Sequence, residues 1–188
     1  MPTNAEAVNQ ALGEFRAYLE CLTWIQVDPR LRSKFGLSDV VARTLWEAYQ
    51  ALDRLRGLDP EGQKRWLRKV HAHNLLDEIH HWKADCRDYR REQPLAEAVD
   101  ESSLRLEHLL AAEDASPSEQ LERQEQSLRV AEALTRLPER EREAIILQRF
   151  HGWKLAQIAE HLGCTTGAVA GLHARGLARL RQWLPEME

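Results

Sequence analysis

The stretch that decides the fold runs from Leu155 to Leu172 and reads LAQIAEHLGCTTGAVAGL. Ile158 and Leu162 give a first helix its apolar face, and Ala159 is small enough for a second helix to cross closely. Gly163 follows where the tight turn needs a backbone conformation that is costly for residues with a Cβ. Thr165 or Thr166 then caps the second helix, whose inward contacts come from Cys164, Val169 and Leu172. An Ala-x3-Gly-x5-Val core with apolar residues at these offsets fits a helix-turn-helix, a unit that reads duplex DNA. An ordinary helical hairpin is the alternative reading of the same spacing.

Working outward, the 188 residues are enough for one medium domain or two small ones. A hydrophobic content of 43% with 30% charged residues is ordinary for a globular protein. The sequence has no apolar run of membrane-spanning length, and MPTNAEAVNQALGEF lacks the basic start and apolar core of a signal peptide. The expectation is a cytoplasmic protein with no membrane partner. Cys21, Cys86 and Cys164 have no C-x-x-C spacing and read as free thiols.

Net charge is -4 with a pI near 6.1, which by itself argues against a nucleic-acid partner. The distribution reverses that. Lys64, Arg65, Arg68, Lys69, Lys83, Arg87, Arg90 and Arg91 make one segment basic, and from Pro94 to Glu125 acids dominate. A basic segment followed by an acidic one points to two kinds of partner.

Period and punctuation give helices almost throughout. Asn4 caps a helix to about Leu22, with Val8, Leu12, Phe15, Leu19 and Leu22 inward, and Asp28-Pro29 breaks the path. Ser38 caps a helix from Asp39 to about Arg56, with Val41, Leu45, Ala48, Leu52 and Leu55 inward and Gly57 at its end. Asp59-Pro60-Glu61 starts a long helix to about Ala84. Around its end Trp82, Lys83, Arg87, Tyr89, Arg90 and Arg91 interleave aromatics with bases, as single-stranded DNA binding requires; a solvated charged face with Trp66 and Trp82 in the core is the alternative. Ser116 and Glu119 are spaced as a capping box for a helix that ends near Leu137-Pro138, and another runs from Glu139 to Phe150. The fold expected is all-α: two small helical domains, 1–93 and 117–188, joined by an acidic linker, 94–116, the C-terminal domain being a helix-turn-helix.

Taken together these segments resemble a bacterial sigma factor of the extracytoplasmic-function (ECF) branch. In the C-terminal half the resemblance rests on Leu137-Pro138 with Arg142, and on GWKLAQIAEHLGCTTGAVAGLHARGLARL from Gly152. In the N-terminal half it rests on DPRLRSKFGLSDVVARTLWEAYQAL from Asp28 and WLRKVHAHNLLDEIHHWKADCRDYRRE from Trp66. ESSLRLEHLLAAEDASPSEQLERQEQ looks like the linker and helix of planctomycete members.

The resemblance implies docking on core RNA polymerase through Asp39, Val40, Ala42, Arg43, Leu45 and Trp46. It implies recognition and melting of the minus-ten promoter element, as a single strand, through Asn74, His81, Trp82, Lys83, Arg87, Tyr89, Arg90 and Arg91. It implies minus-35 duplex recognition through Thr165, Thr166, Ala170, Gly171, His173, Ala174, Arg175 and Arg179, and an anti-sigma inhibitor as a further partner. Arg175 is the common basic position of the family, and arginine is the usual bidentate partner of guanine. Three departures stand out. The clamp motif reads Asp39-Val40-Val41-Ala42-Arg43-Thr44, without the usual Gln-Glu pair; His80 and His81 stand where Arg is common; and Gly167, Ala170, Gly171 and Ala174 leave the reading helix few polar side chains. Small residues allow close backbone approach, which shifts weight to shape readout.

His71, His73, His80, His81 and Cys86 match no common zinc spacing, and no nucleophile or glycine-rich phosphate loop accompanies Glu78 and His81. No metal, cofactor or enzymatic role is expected. Arg136, Arg140, Arg142 and Arg149 alternate with Glu139, Glu141 and Glu143 and read as a solvated, salt-bridged face; Trp153 and Trp183 are expected to pack the C-terminal domain. A stand-alone helix-turn-helix regulator and a degenerate sigma-like adaptor remain the alternatives to a promoter-specificity subunit.

Overall fold

The computed structural model describes residues 4–30, 32, 36–84 and 120–184. Every regular element among them is a helix: α1 (Asn4–Gln26), α2 (Leu37–Gln50), α3 (Leu52–Arg56), α4 (Pro60–Ala84), α5 (Gln120–Arg136), α6 (Glu139–Arg149), α7 (Leu155–His161) and α8 (Thr166–Trp183). The protein is all-α. The chain divides into two compact units between Ser102 and Ser103, a point inside the expected 94–116 linker, which itself lies outside the described residues. None of the described helices is long and apolar enough to cross a membrane.

In the N-terminal unit α1 extends a turn past Leu22, because Ile25 continues the buried row of Tyr18, Leu19 and Leu22. Arg32 then folds back and donates to the carbonyls of Trp24 and Val27, two acceptors that the helix end leaves open. The second helix differs from its sequence reading at both ends. It begins at Leu37 with Gly36 as N-cap, and Ser38 makes no cap bond, because Leu37 packs against Val27, Val40 and Leu75 and draws the start back. It also breaks at Ala51 (φ -98°, ψ 16°), and the separate turn of α3 puts Leu55 into the cluster of Ala48 and Leu67. Gly57 ends α3 in ordinary right-handed conformation, and the Gln63 amide caps the carbonyls of Leu55 and Leu58 at 3.1 Å each. The start of α4 is as read: Asp59 Oδ1 accepts the Gly62 N–H at 2.9 Å.

A polar node joins α1, α2 and α4. His71 is fully buried; its Nε2 lies 2.9 Å from Thr23 Oγ1 and its Nδ1 3.3 Å from Thr44 Oγ1. Thr23 and Thr44 each donate their own hydroxyl proton to a backbone carbonyl, Leu19 at 2.8 Å and Val40 at 2.9 Å, so either hydroxyl can accept a His71 ring N–H. Asn74 donates to Thr44 Oγ1 at 3.2 Å and Glu47 Oε1 at 3.0 Å, closing the network. A second buried group pairs Arg68 with Glu61 at 3.0 Å and with the Tyr18 hydroxyl. Burial lowers the His71 pKa from 6.5 to about 4. The folded state therefore holds His71 neutral while the unfolded chain protonates it, and stability is lost as pH falls from 6.5 towards 4. The contribution is about 3 kcal/mol. Denaturant unfolding at pH 7 and pH 4.5 should show a larger loss at the lower pH in wild type than in His71→Gln; equal losses would refute the assignment.

The C-terminal unit packs α5, α6 and α7 around α8. Ala144, Leu147, Ile158, Ala159 and Val169 form its core, flanked by Trp153, Leu155, Leu162, Cys164 and Leu172. Two turns need a left-handed residue, and both have glycine: Gly152 (φ 67°) and Gly163 (φ 60°). At the second, the Cys164 N–H returns to the Ala159 carbonyl at 2.9 Å, closing α7 in a Schellman turn. Thr165 accepts the Ala168 N–H at 3.2 Å and caps α8. Gly163→Ala should cost about 1–2 kcal/mol of stability from left-handed strain and Thr165→Ala about 1 kcal/mol from the lost cap, both read from thermal unfolding of the C-terminal unit.

Candidate nucleic-acid interface

Helix α8 presents two faces. Val169, Gly176 and Leu180 are buried, and His173 falls in the same row, half-buried. Thr165, Thr166, Ala170, Ala174, Arg175 and Arg179 are exposed, with Gly171 half-buried beside them. Seven of the eight residues expected to meet the minus-35 element thus share one outward surface. His173 does not. Its Nε2 is enclosed without a hydrogen-bond partner among the described residues, and burial, followed by the nearby Arg149 charge, lowers its pKa.

The outward surface is built from small residues and guanidinium groups. Arg140 of α6 and Arg175 of α8 line one cleft of about 270 Å³ with Cys164, Gly167, Ala168, Gly171 and Leu172. Arg140 is held by donating to the Leu162 carbonyl at 2.7 Å. Arg175 lies back along its helix over Gly171, where an added Cβ would sit 3.1 Å from its Nη1.

The arginines and acids of α6 are not the simple solvated face the alternation suggests. Arg142 donates to the Thr135 and Leu137 carbonyls at the end of α5, at 3.2 and 3.4 Å. Arg136 pairs with Glu132 on its own helix. Glu141 is buried beneath α8 and faces Arg175 at 3.4 Å and Arg179 at 3.2 Å. The sequence offered no local cue for this, since the partners lie 34 positions apart or more. Trp153 packs on the core and meets His161 edge-on at 5.4 Å, whereas Trp183 remains 38% exposed, contrary to expectation: it lies in the last turn, beyond the buried Leu180.

In the N-terminal unit Asn74, expected at the minus-ten element, is 3% exposed, and its amide ties α4 to α2. His81 is exposed; the side chains of Trp82 and Lys83, and the whole of Arg87, Tyr89, Arg90 and Arg91, lie outside the described residues. On α2, Asp39, Ala42, Arg43 and Trp46 are exposed, while Val40 and Leu45 face the core. Trp46 stacks on Tyr49 at 5.8 Å, both open to solvent, and Arg43 pairs with Glu78 of α4 at 3.4 Å. Cys21 is buried and Cys164 half-buried, and among the described residues no group of three His, Cys, Asp or Glu side chains is placed to hold a metal ion.

Residues 127–180 match the family described as Sigma-70, region 4. The matched stretch lies within the C-terminal unit and includes α6, α7 and most of α8. The chain is also similar to a solved structure of CnrH in complex with the cytosolic domain of CnrY, at 22% identity over 99% of this chain and 92% of that one, with a TM-score of 0.34. No curated protein matches the chain.

A carboxylate on the outward surface of α8 should repel phosphate. Ala170→Glu and Ala174→Glu are each expected to weaken duplex-DNA binding by roughly tenfold at moderate salt, with Gln182→Glu, in the last turn, close to wild type. Fluorescence anisotropy with labelled duplexes measures this, and equal effects at all three positions would remove the surface from consideration.

Proposed function

We propose that the protein is an ECF-type sigma factor that binds core RNA polymerase and directs promoter-specific transcription initiation in the cytoplasm. The observation that carries the reading is the outward surface of α8, exposed small residues bordered by arginines, within a domain that matches Sigma-70 region 4 over residues 127–180. Thr165, Thr166, Ala170, Gly171, Ala174, Arg175 and Arg179 would meet the minus-35 duplex, the small side chains allowing the backbone close to the groove. His81, Trp82, Lys83, Arg87, Tyr89, Arg90 and Arg91 would meet the melted minus-ten strand by stacking and phosphate contact.

Asp39, Ala42, Arg43 and Trp46 would form the docking surface for core polymerase, with Val40 and Leu45 supporting it from inside. The Arg43–Glu78 pair supports this assignment, because the positive charge that departs from the family motif is partly neutralised within the chain. The role is binding rather than catalysis, and an inhibitory protein covering these surfaces belongs to the same reading.

In vitro transcription from a randomised promoter library, with and without core polymerase, tests it. The expected result is core-dependent transcripts that share two upstream motifs, lost in Trp46→Ala. Transcripts absent with a cognate core and folded protein would replace this reading with that of a sigma-like adaptor.

A further inference from the structure

Glu141 is the acid that the region's DNA-facing role would not call for: a carboxylate set directly beneath two arginines of the reading helix. Its side chain is 7% exposed, against 59% for Arg175 and 46% for Arg179. The approach is possible because α8 carries Gly176 at the crossing, where a Cβ would lie 2.7 Å from Ile145 Cδ1 and 3.4 Å from Glu141 Cβ.

Both arginines meet the carboxylate through Nε. Arg175 Nε donates to Oε1 at 3.4 Å, and Arg179 Nε lies 3.2 Å from Oε2 as a charge contact rather than an aligned hydrogen bond. An arginine engaged through Nε keeps the two terminal amino groups of its fork for another acceptor. One buried acid thus turns two flexible cations, one helical turn apart on the outward side of α8, into a pair with its hydrogen-bonding ends unspent. The pair keeps a net positive charge.

We infer that Glu141 is a positioning residue for DNA: it presents Arg175 and Arg179 together to the phosphates beside the groove, so that Arg175 grips the backbone rather than a base edge. This rests on the reading of the C-terminal unit as a duplex-DNA binder, and it gives Arg175 a different role from the guanine contact its residue type suggests. Arg175 drawn back over Gly171 to Glu141 lies along the helix rather than projecting from it, which suits a phosphate at the groove wall. Anchoring also removes, before binding, part of the rotamer entropy that two arginines lose on contact.

Electrostatics alone and positioning predict opposite signs. Removing a negative charge near the DNA should strengthen binding if Glu141 only contributes repulsion; if it positions the pair, binding weakens. The test measures the affinity of the full-length protein, without polymerase, for a promoter duplex and a scrambled duplex across a salt series. Glu141→Gln should weaken both by roughly three- to tenfold, and should have no further effect in the Arg175→Ala/Arg179→Ala background. Arg175→Ala should weaken both duplexes by the same factor and lower the slope of log affinity against log salt by about one. Arg175→Lys, which keeps the charge but has no fork, should hold the slope and still lose affinity.

Tighter binding by Glu141→Gln, or an Arg175→Ala loss confined to one base pair of the promoter duplex, overturns the inference. Far-ultraviolet circular dichroism at the assay temperature separates loss of fold from loss of contact, and Arg175→Lys carries the test if Glu141→Gln does not fold. Because no polymerase is present, failure of the sigma-factor reading in the transcription assay leaves this result standing.

Discussion

The C-terminal unit depends on how closely α8 approaches α6. Gly176 makes the approach possible, and the approach buries Glu141. A buried carboxylate is costly unless charge and hydrogen bonds compensate it; Arg175 supplies a hydrogen bond and charge, and Arg179 supplies charge. Packing and electrostatics are therefore set by one contact. The same crossing that seats Ile145 in the core also decides where the cations of the outward surface lie.

The N-terminal unit solves a similar problem with neutral groups. Three helices meet at His71, where an all-apolar seam would specify the register less strictly. Two threonines, one histidine and one asparagine are each given partners across different helices. Such a network is favourable only when complete, so it fixes the mutual register of α1, α2 and α4. That register determines which residues of α2 face outward: Asp39, Ala42, Arg43 and Trp46 are exposed because Val40, Thr44 and Leu45 are committed inside.

The exposed surfaces of the two units differ in chemistry. The reading helix offers small side chains and guanidinium groups, suited to a polyanion at close range. Helix α2 offers stacked Trp46 and Tyr49, large apolar area with little conformational freedom to lose, the composition expected of a protein-facing patch. The proposed function calls for both kinds of surface.

The sequence by itself determined the helical class, the helix-turn-helix with its left-handed Gly163 and a threonine cap, the Asp59 start of α4 and the burial of Leu19, Leu22 and Val169. These depend on neighbours a few residues away, so spacing and residue type suffice to read them. It misplaced the start of α2, whose position is set by Leu37 packing against Leu75. Only the tertiary structure decided which polar residues go inside. Spacing says nothing of the Thr44 and Glu47 oxygens that take up the Asn74 amide, and Glu141 reads as one acid of a solvated row although α8 covers it. In both cases the deciding partner lies tens of positions away, and burial of a polar group is settled by that partner rather than by the residue itself.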